Sequence, residues 1–420
     1  ALAETAREWA EIFTDFNKHP PGLFEFNSQT YFAVLKSPKS GEPYLDVARC
    51  LRAALKVASY TLDRSNPARP EYRYNLEVQA KGRQPLTITA SGKDLGNARA
   101  LNEFLLTTAK LSWEGDAKAA TALQVRITGD KRAPEVQLLP VIGYQPEVGA
   151  YVFHKWAVDQ SGQVVTPDKR GHFRLGYNRI FQAPIHAEGK SITPATITRP
   201  QVAKMYQLIR AAWGENGAVA LAWTVASWFV CQIKAEINLF PFLSMYGDPA
   251  SGKSALVTLL NAIQAREGEG LPISQLSTKK GNIRTIGQVS GLFTALLEDN
   301  ERNDRAFDYS FILTAYNRGP LQVQAAFSND LQTKESPFLG TLLFAQNAEP
   351  FNSKAERQRV ISLQFKAAAI TDASRAAYEQ LTATDKRDLA GIMRQVLAHR
   401  QHLEQSWRQA YATATADLGP

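Results

Sequence analysis

Residues 247–254 read Gly-Asp-Pro-Ala-Ser-Gly-Lys-Ser, directly after the apolar run Leu239–Tyr246 and directly before a stretch, Ala255–Ile263, that is apolar at helical spacing. This order constrains the fold more than any other feature, because a G-x-x-x-x-G-K-S loop works only where a buried strand runs into a helix. The two glycines let the backbone fold into a nest of N–H donors around the α- and β-phosphates. In that arrangement Lys253 reaches the β- and γ-phosphates and Ser254 ligates Mg²⁺. The helix that starts there adds its positive N-terminal dipole. The expected nucleotide contacts are Gly247, Asp248, Pro249, Ala250, Ser251, Gly252, Lys253, Ser254 and Ala255.

A phosphate loop needs partners. Triphosphate hydrolysis calls for one carboxylate linked to Mg²⁺ and one that orients or deprotonates water. The strand pattern Gly291–Leu297 ends in Glu298 and Asp299, some 45 residues past Lys253. By the usual order of such pairs Glu298 serves the metal and Asp299 the water, but the order here is Glu-Asp instead of Asp-Glu, so the two roles stay open. A second buried strand, Gly340–Gln346, ends in Asn347, whose amide can hold the attacking water or sense the γ-phosphate. Arg357 and Arg359 then precede the strand pattern Val360–Phe365; a guanidinium there can neutralise transition-state charge on a nucleotide held by a neighbouring subunit.

The rest of the composition narrows the setting. In 420 residues, 44% are apolar, enough for a large core, and length predicts two to three domains. The net charge is +8, with Lys and Arg dispersed along the chain, which favours a polyanionic partner such as nucleic acid. The two cysteines, Cys50 and Cys231, form neither a CxxC nor a His pairing, so no zinc site or disulfide framework is indicated and a reducing cytoplasm is expected. Ala1–Phe16 is charged and lacks the apolar core of a signal peptide; the start at Ala1 instead of Met is consistent with a stretch of a longer protein. The apolar segment Ala218–Ile233 is too short for a bilayer span and reads as a buried helix, so no membrane partner is expected.

Along the chain, residues 1–190 read as an N-terminal α+β domain. Helices are expected at Thr5–Phe16, Asp46–Ser59 and Asp94–Ala109, and strands at Tyr72–Val78, Ala122–Ile127 and Ala150–Val158. A hairpin turn is expected at Asp159–Gln163, with strand resuming at Val164–Val165. Residues 191–237 read as a linker followed by two helices, Arg199–Trp213 and Ala218–Ile237. Residues 238–366 are the P-loop core, and residues 367–420 a C-terminal helical segment.

Phosphate loop, acidic strand, amide strand and arginine, in this order and spacing, resemble the ring-forming helicases of superfamily 3 and the AAA+ helicase modules of phage and mobile-element primase-helicase replication proteins. The resemblance covers about residues 200–366. It is strengthened by the phrases Leu276–Arg284, Tyr316-Asn317-Arg318-Gly319 and Pro337–Leu343 running into Asn347. Residues 1–190 resemble the upstream region of such proteins more loosely, chiefly through Gly143–Phe153, and carry no acidic pair that reads as a polymerase centre.

The resemblance implies an α/β P-loop NTPase core, AAA+ or RecA-like, with a mainly parallel sheet flanked by helices. It makes Lys253 and Ser254 the Walker A pair, Glu298 and Asp299 the Walker B acids, Asn347 the first sensor and Arg359 the arginine finger, with Arg357 second. The implied cofactors are ATP and Mg²⁺, the metal held by Ser254 and Glu298. The implied partners are DNA, single-stranded or forked, further copies of the chain in a hexameric ring, and a primase, with residues 1–190 serving DNA engagement or ring assembly. DNA contacts are then expected at Lys279, Lys280, Arg284, Arg318 and Lys334, with a hairpin over Pro320–Pro337, bent near Ser328–Asp330, as the moving lever. Two alternatives share the octet: another P-loop nucleic-acid ATPase, such as a helicase loader or packaging motor, and a non-hydrolysing origin-binding scaffold switched by nucleotide.

Overall fold

The computed structural model describes residues 22–37, 39–40, 44–63, 70–177, 179–184, 191–273, 285–298, 312–317, 319–325, 333–351 and 353–418; at residues 44, 298, 312, 314, 320–325, 333–337 and 417–418 only the backbone is described. The expected helix Thr5–Phe16 and the bend Ser328–Asp330 lie outside these residues. The chain divides into two units, Ala1–Leu138 and Leu139–Pro420.

In the first unit, β1 (Gly22–Phe26), β2 (Gln29–Lys36) and β3 (Tyr44–Leu51) form an antiparallel sheet. Antiparallel pairing also joins β4 (Ala54–Asp63), β5 (Glu71–Gln79) and β6 (Leu86–Ser91), and β7 (Glu135–Leu138) runs parallel to β4. Helices α1 (Ala98–Ala109) and α2 (Ala117–Thr128) start at side-chain caps, Asn97 accepting from the Ala100 N–H and Asp116 from the Ala119 N–H. Leu55, Leu76, Leu101, Leu105, Trp113 and Leu123 share one core.

Two local expectations fail here. The segment 46–59, read as a helix, is the end of β3, a tight turn and the start of β4. Its alanine-rich text carries a helical period through Val47, Leu51 and Leu55, but also a period of two in which Leu55 and Val57 are buried and Lys56 exposed. Pairing with β2 and β5 decides for strand. The reverse happens at 122–127, read as a strand. There Asp116 caps a helix whose Ala119, Ala120, Leu123 and Ile127 are buried at helical spacing, while Val125 is 64% exposed.

The second unit opens with a meander, β8 (Ile142–Gln145), β9 (Ala150–Val152), β10 (Ala157–Val158) and β11 (Val164–Val165), followed by the hairpin β12 (His172–Leu175) and β13 (Arg179–Gln182). The expected turn at Asp159–Gln163 is present, with Asp159 accepting the N–H groups of Ser161 and Gln163. Helix α3 (Arg199–Ser227) begins at a Thr198/Gln201 capping box and breaks at Gly214, where φ is 59° and ψ −145°. Helix α4 (Val230–Ile237) follows at a 76° bend. Among the described residues no single helix is long and apolar enough to cross a membrane.

Next come β14 (Phe242–Gly247), α5 (Lys253–Ile263), β15 (Leu271–Pro272), β16 (Val289–Ser290) and β17 (Phe293–Glu298). The chain continues through α6 (Ile312–Ala315), the hairpin of β18 (Pro320–Ala325) and β19 (Thr333–Pro337), β20 (Thr341–Gln346), α7 (Lys354–Arg357) and β21 (Val360–Phe365). Helices α8 (Asp372–Thr382), α9 (Lys386–Ala398) and α10 (Arg400–Leu418) close it. Strands β15, β17, β20, β14 and β21 form, in that order, a sheet in which every neighbouring pair is parallel. Strands buried on both faces need continuous apolar text, which Leu243, Met245, Phe293, Leu343 and Ala345 supply. Leu256 and Leu260 of α5 and the indoles of Trp223 and Trp228 cover them, each large side chain contributing about 1.5–3 kcal/mol of burial.

Candidate nucleotide site

Parallel strands end together. Across the sheet, Glu298 stands in register with Gln346, Gln346 with Tyr246, and Tyr246 with Gln364. The phosphate loop, the end of β17 at Glu298 and the residue after β20 therefore stand at one edge, the carboxyl edge at which open α/β sheets bind ligands. Strand β20 lies between β14 and β17, so the backbones of Glu298 and Tyr246 are roughly 10 Å apart at two strand spacings.

The loop itself is fastened to this edge. Gly247 donates its N–H to the Asn347 carbonyl at 3.2 Å, and Asp248 donates to the Phe365 carbonyl at 3.0 Å. The Asp248 carboxylate accepts the Ala367 N–H at 2.9 Å. Gly247 sits at φ +128°, where a Cβ would stand 2.0 Å from the Phe365 carbonyl oxygen, so only glycine fits. Gly252, at φ +86°, caps α5 and directs its first turn into the loop. The opening N–H groups of a helix have no intrahelical acceptor, which is what an anionic phosphate meets.

Lys253 is 6% exposed, and its ammonium donates to the Gly247 carbonyl at 2.9 Å, the Asp248 carbonyl at 2.6 Å and Ser251 Oγ at 3.2 Å. Burial lowers its pKa, while the Asp248 charge acts the other way. The amine is thus folded onto its own loop by acceptors that phosphate oxygens can replace. Ser254 is exposed on the first turn of α5. Asn347 is half-buried at the carboxyl edge beside the loop.

Arg359 and Arg357 lie elsewhere. Arg359 precedes β21, and its carbonyl accepts the Phe242 N–H at 2.9 Å, which fixes it at the amino edge of the sheet. Six residues of strand separate it from Phe365, roughly 20 Å. Its guanidinium bonds the Ala355 carbonyl and stands 5.5 Å from the centre of the Tyr316 ring. Arg357 is exposed on α7 and donates to the Phe351 carbonyl at 2.9 Å. Neither reaches the loop of its own chain.

Of the other expected site residues, Asp299, Lys279, Lys280, Arg284 and Arg318 lie outside the described residues, and Glu298 and Lys334 are described by backbone alone, Lys334 on β19. Among the described residues no group of three His, Cys, Asp or Glu side chains could hold a metal. Mg²⁺ keeps several waters and takes one or two protein oxygens plus phosphates; an exposed Ser254 hydroxyl next to the loop fits such a site.

Two cavities flank the start of α5. One, of ≈ 230 Å³, is lined by Trp213, Ser251, Gly252, Ile370, Arg375 and Tyr378, the Trp213 and Tyr378 rings meeting edge to face at 5.7 Å. The other, of ≈ 390 Å³, runs along α5 from Ser254 past Thr258 to Lys386 and Leu389. Trp213, Ile370, Arg375 and Tyr378 belong to none of the sequence motifs. Only a pairing of α3 with α8, 160 residues further along, brings them to the loop, and no local pattern encodes that pairing.

No family model matches the chain, and no curated protein does. Among solved structures, that of SCCmec type IV Cch, an active helicase, superposes with a TM-score of 0.54 at 14% identity, over 92% of this chain and 67% of that one. The C-terminal region of NrS-1 superposes over 81% of this chain and 67% of that one, but its TM-score of 0.35 at 11% identity is too low to carry an argument. The chain has a helicase-like fold. At such identity the likeness speaks for the fold alone.

Proposed function

We propose that the chain is an ATP-dependent DNA helicase of a phage or mobile element, working in the cytoplasm as a homo-oligomeric, hexameric ring that moves on DNA during replication, fused to or partnered with a primase. The observation that carries this reading is the split between the two edges of the parallel sheet. Loop, acidic strand and Asn347 share the carboxyl edge, while Arg359 stands at the amino edge, suited to a neighbour's nucleotide and not to its own.

In this reading the backbone of residues 247–253 cradles the phosphates, and Lys253 exchanges the Gly247 and Asp248 carbonyls for phosphate oxygens. Ser254 and Glu298 would hold Mg²⁺, which would supply charge neutralisation at the phosphates. Asp299 takes the proton of the attacking water, Asn347 orients that water, and Arg359 of the adjacent subunit, seconded by Arg357, offsets transition-state charge. The nucleobase packs in the cavity lined by Trp213 and Tyr378, with Arg375 in its wall. Lys279, Lys280, Arg284, Arg318 and Lys334 contact DNA, the last carried by the β18–β19 hairpin.

The test is ATP turnover measured together with strand separation of forked duplexes of both tail polarities. Turnover rises with DNA, strands separate, and Lys253→Ala abolishes both while DNA binding persists. Turnover without separation points to a loader or packaging motor, and nucleotide binding without turnover on any DNA points to a scaffold.

A further inference from the structure

Lys234 is a cation in the wrong place for a structural residue. It lies on α4, 2% exposed, and among the described residues no carboxylate pairs with it. Burying an ammonium without a counter-charge is costly, and an apolar residue of similar volume would pack there at no such cost. Desolvation pushes its pKa down to about 8, against the influence of Cys231 one turn earlier.

What the ammonium touches is informative. Nζ donates to the Ala315 carbonyl at 2.7 Å and lies 3.4 Å from the Gly340 carbonyl, and it stands 5.1 Å from the centre of the Phe338 ring. Ala315 is the last residue before the chain departs toward β18, and Phe338 to Gly340 are where it returns from β19. Cys231 Sγ adds a contact to the Leu339 carbonyl at 3.0 Å. The two ends of the hairpin segment are therefore gathered onto one face of α4.

The same root touches the rest of the engine. Tyr316, next to Ala315, passes its carbonyl to the Phe240 N–H at the approach to the phosphate-loop strand and lies under the Arg359 guanidinium. From Gly340 the buried strand β20 runs directly to Asn347. The hairpin root is thus in contact with Arg359 through Tyr316 and continuous with the strand that ends at Asn347.

We propose that Lys234 is a positioning residue, whose buried ammonium pins the two ends of the β18–β19 hairpin to the ATPase core so that DNA held by the hairpin is felt at the nucleotide site. This rests on reading the hairpin as the DNA lever. The charge serves here because one ammonium satisfies two carbonyls and a ring face at once, which no apolar side chain can do.

The experiment compares wild type with Lys234→Met and Lys234→Gln on the full chain, measuring ATP turnover with and without a forked DNA, alongside thermal melting and binding of a non-hydrolysable ATP analogue. The expected result is that both variants melt within a few degrees of wild type, bind the analogue alike and keep DNA-free turnover. DNA stimulation falls at least five-fold in Lys234→Met and less in Lys234→Gln, whose amide still donates. Stimulation of Lys234→Met equal to that of wild type overturns the proposal. Failure of both variants to fold also overturns it, since Lys234 is then part of the core alone. If wild type itself shows no stimulation by any DNA, the helicase reading has failed, and the pin falls with it.

Discussion

The indole Nε1 of Trp213 donates to the carbonyl of Gly252 at 3.2 Å, which ties the end of the first half of α3 to the cap of the phosphate-loop helix. One residue later α3 breaks at Gly214, and Asn216 donates to the Gln364 carbonyl at 2.7 Å. The break thus aims two side chains at the loop edge of the sheet.

Trp213→Ala removes this hydrogen bond and one wall of the cavity beside the loop. An aromatic contact and a hydrogen bond of this kind are worth about 1–1.5 kcal/mol together at a partly buried site, or about ten-fold in affinity. Titration of a fluorescent ATP analogue should show that weakening with little change in thermal melting. Unchanged affinity would place the nucleobase elsewhere.

Gly247→Ala meets a harder constraint. Its Cβ would collide with the Phe365 carbonyl oxygen at φ +128°, so either the loop or the start of the segment after β21 must move. The cost is of the order of 3 kcal/mol, with loss of nucleotide binding, and calorimetric melting alongside the same titration reads both.

Lys234 makes a prediction in pH. Its pKa falls from 10.5 in the unfolded chain to about 8 in the fold, so below pH 8 both states carry the proton and the full burial penalty applies. Between about pH 8 and 10.5 the unfolded chain holds a proton that the folded chain has released, and stability rises with pH. The difference in unfolding free energy between wild type and Lys234→Met, followed by denaturant titration, should move in favour of wild type by up to about 3 kcal/mol across that window. A flat difference would mean that the ammonium is not desolvated.

The local patterns were readable and the distant pairings were not. Strands β14, β17 and β20 could be located from sequence because each is a short apolar run ending in a recognisable polar or glycine-rich group, and such runs report burial directly. That Arg359 stands at the amino edge also follows from its place before a parallel strand. In contrast, the segment 46–59 carries two competing periods, and partner strands chose between them. Trp213 and Tyr378 stand 165 positions apart, and nothing in either neighbourhood announces that α3 and α8 face each other across the loop.

The central claim is a nucleotide site completed by a second subunit, and mixing two dead variants tests it most directly. Lys253→Ala lacks the loop amine and Arg359→Ala lacks the guanidinium, so each alone should be inactive with DNA and ATP. In mixed assemblies, confirmed by mass, an Arg359→Ala subunit offers an intact loop to the Arg359 of a Lys253→Ala neighbour. The account predicts that DNA-stimulated turnover reappears on mixing, at up to roughly a quarter of wild type for random equal mixing of pairwise sites. Confirmed mixed assemblies with no recovered turnover would contradict it.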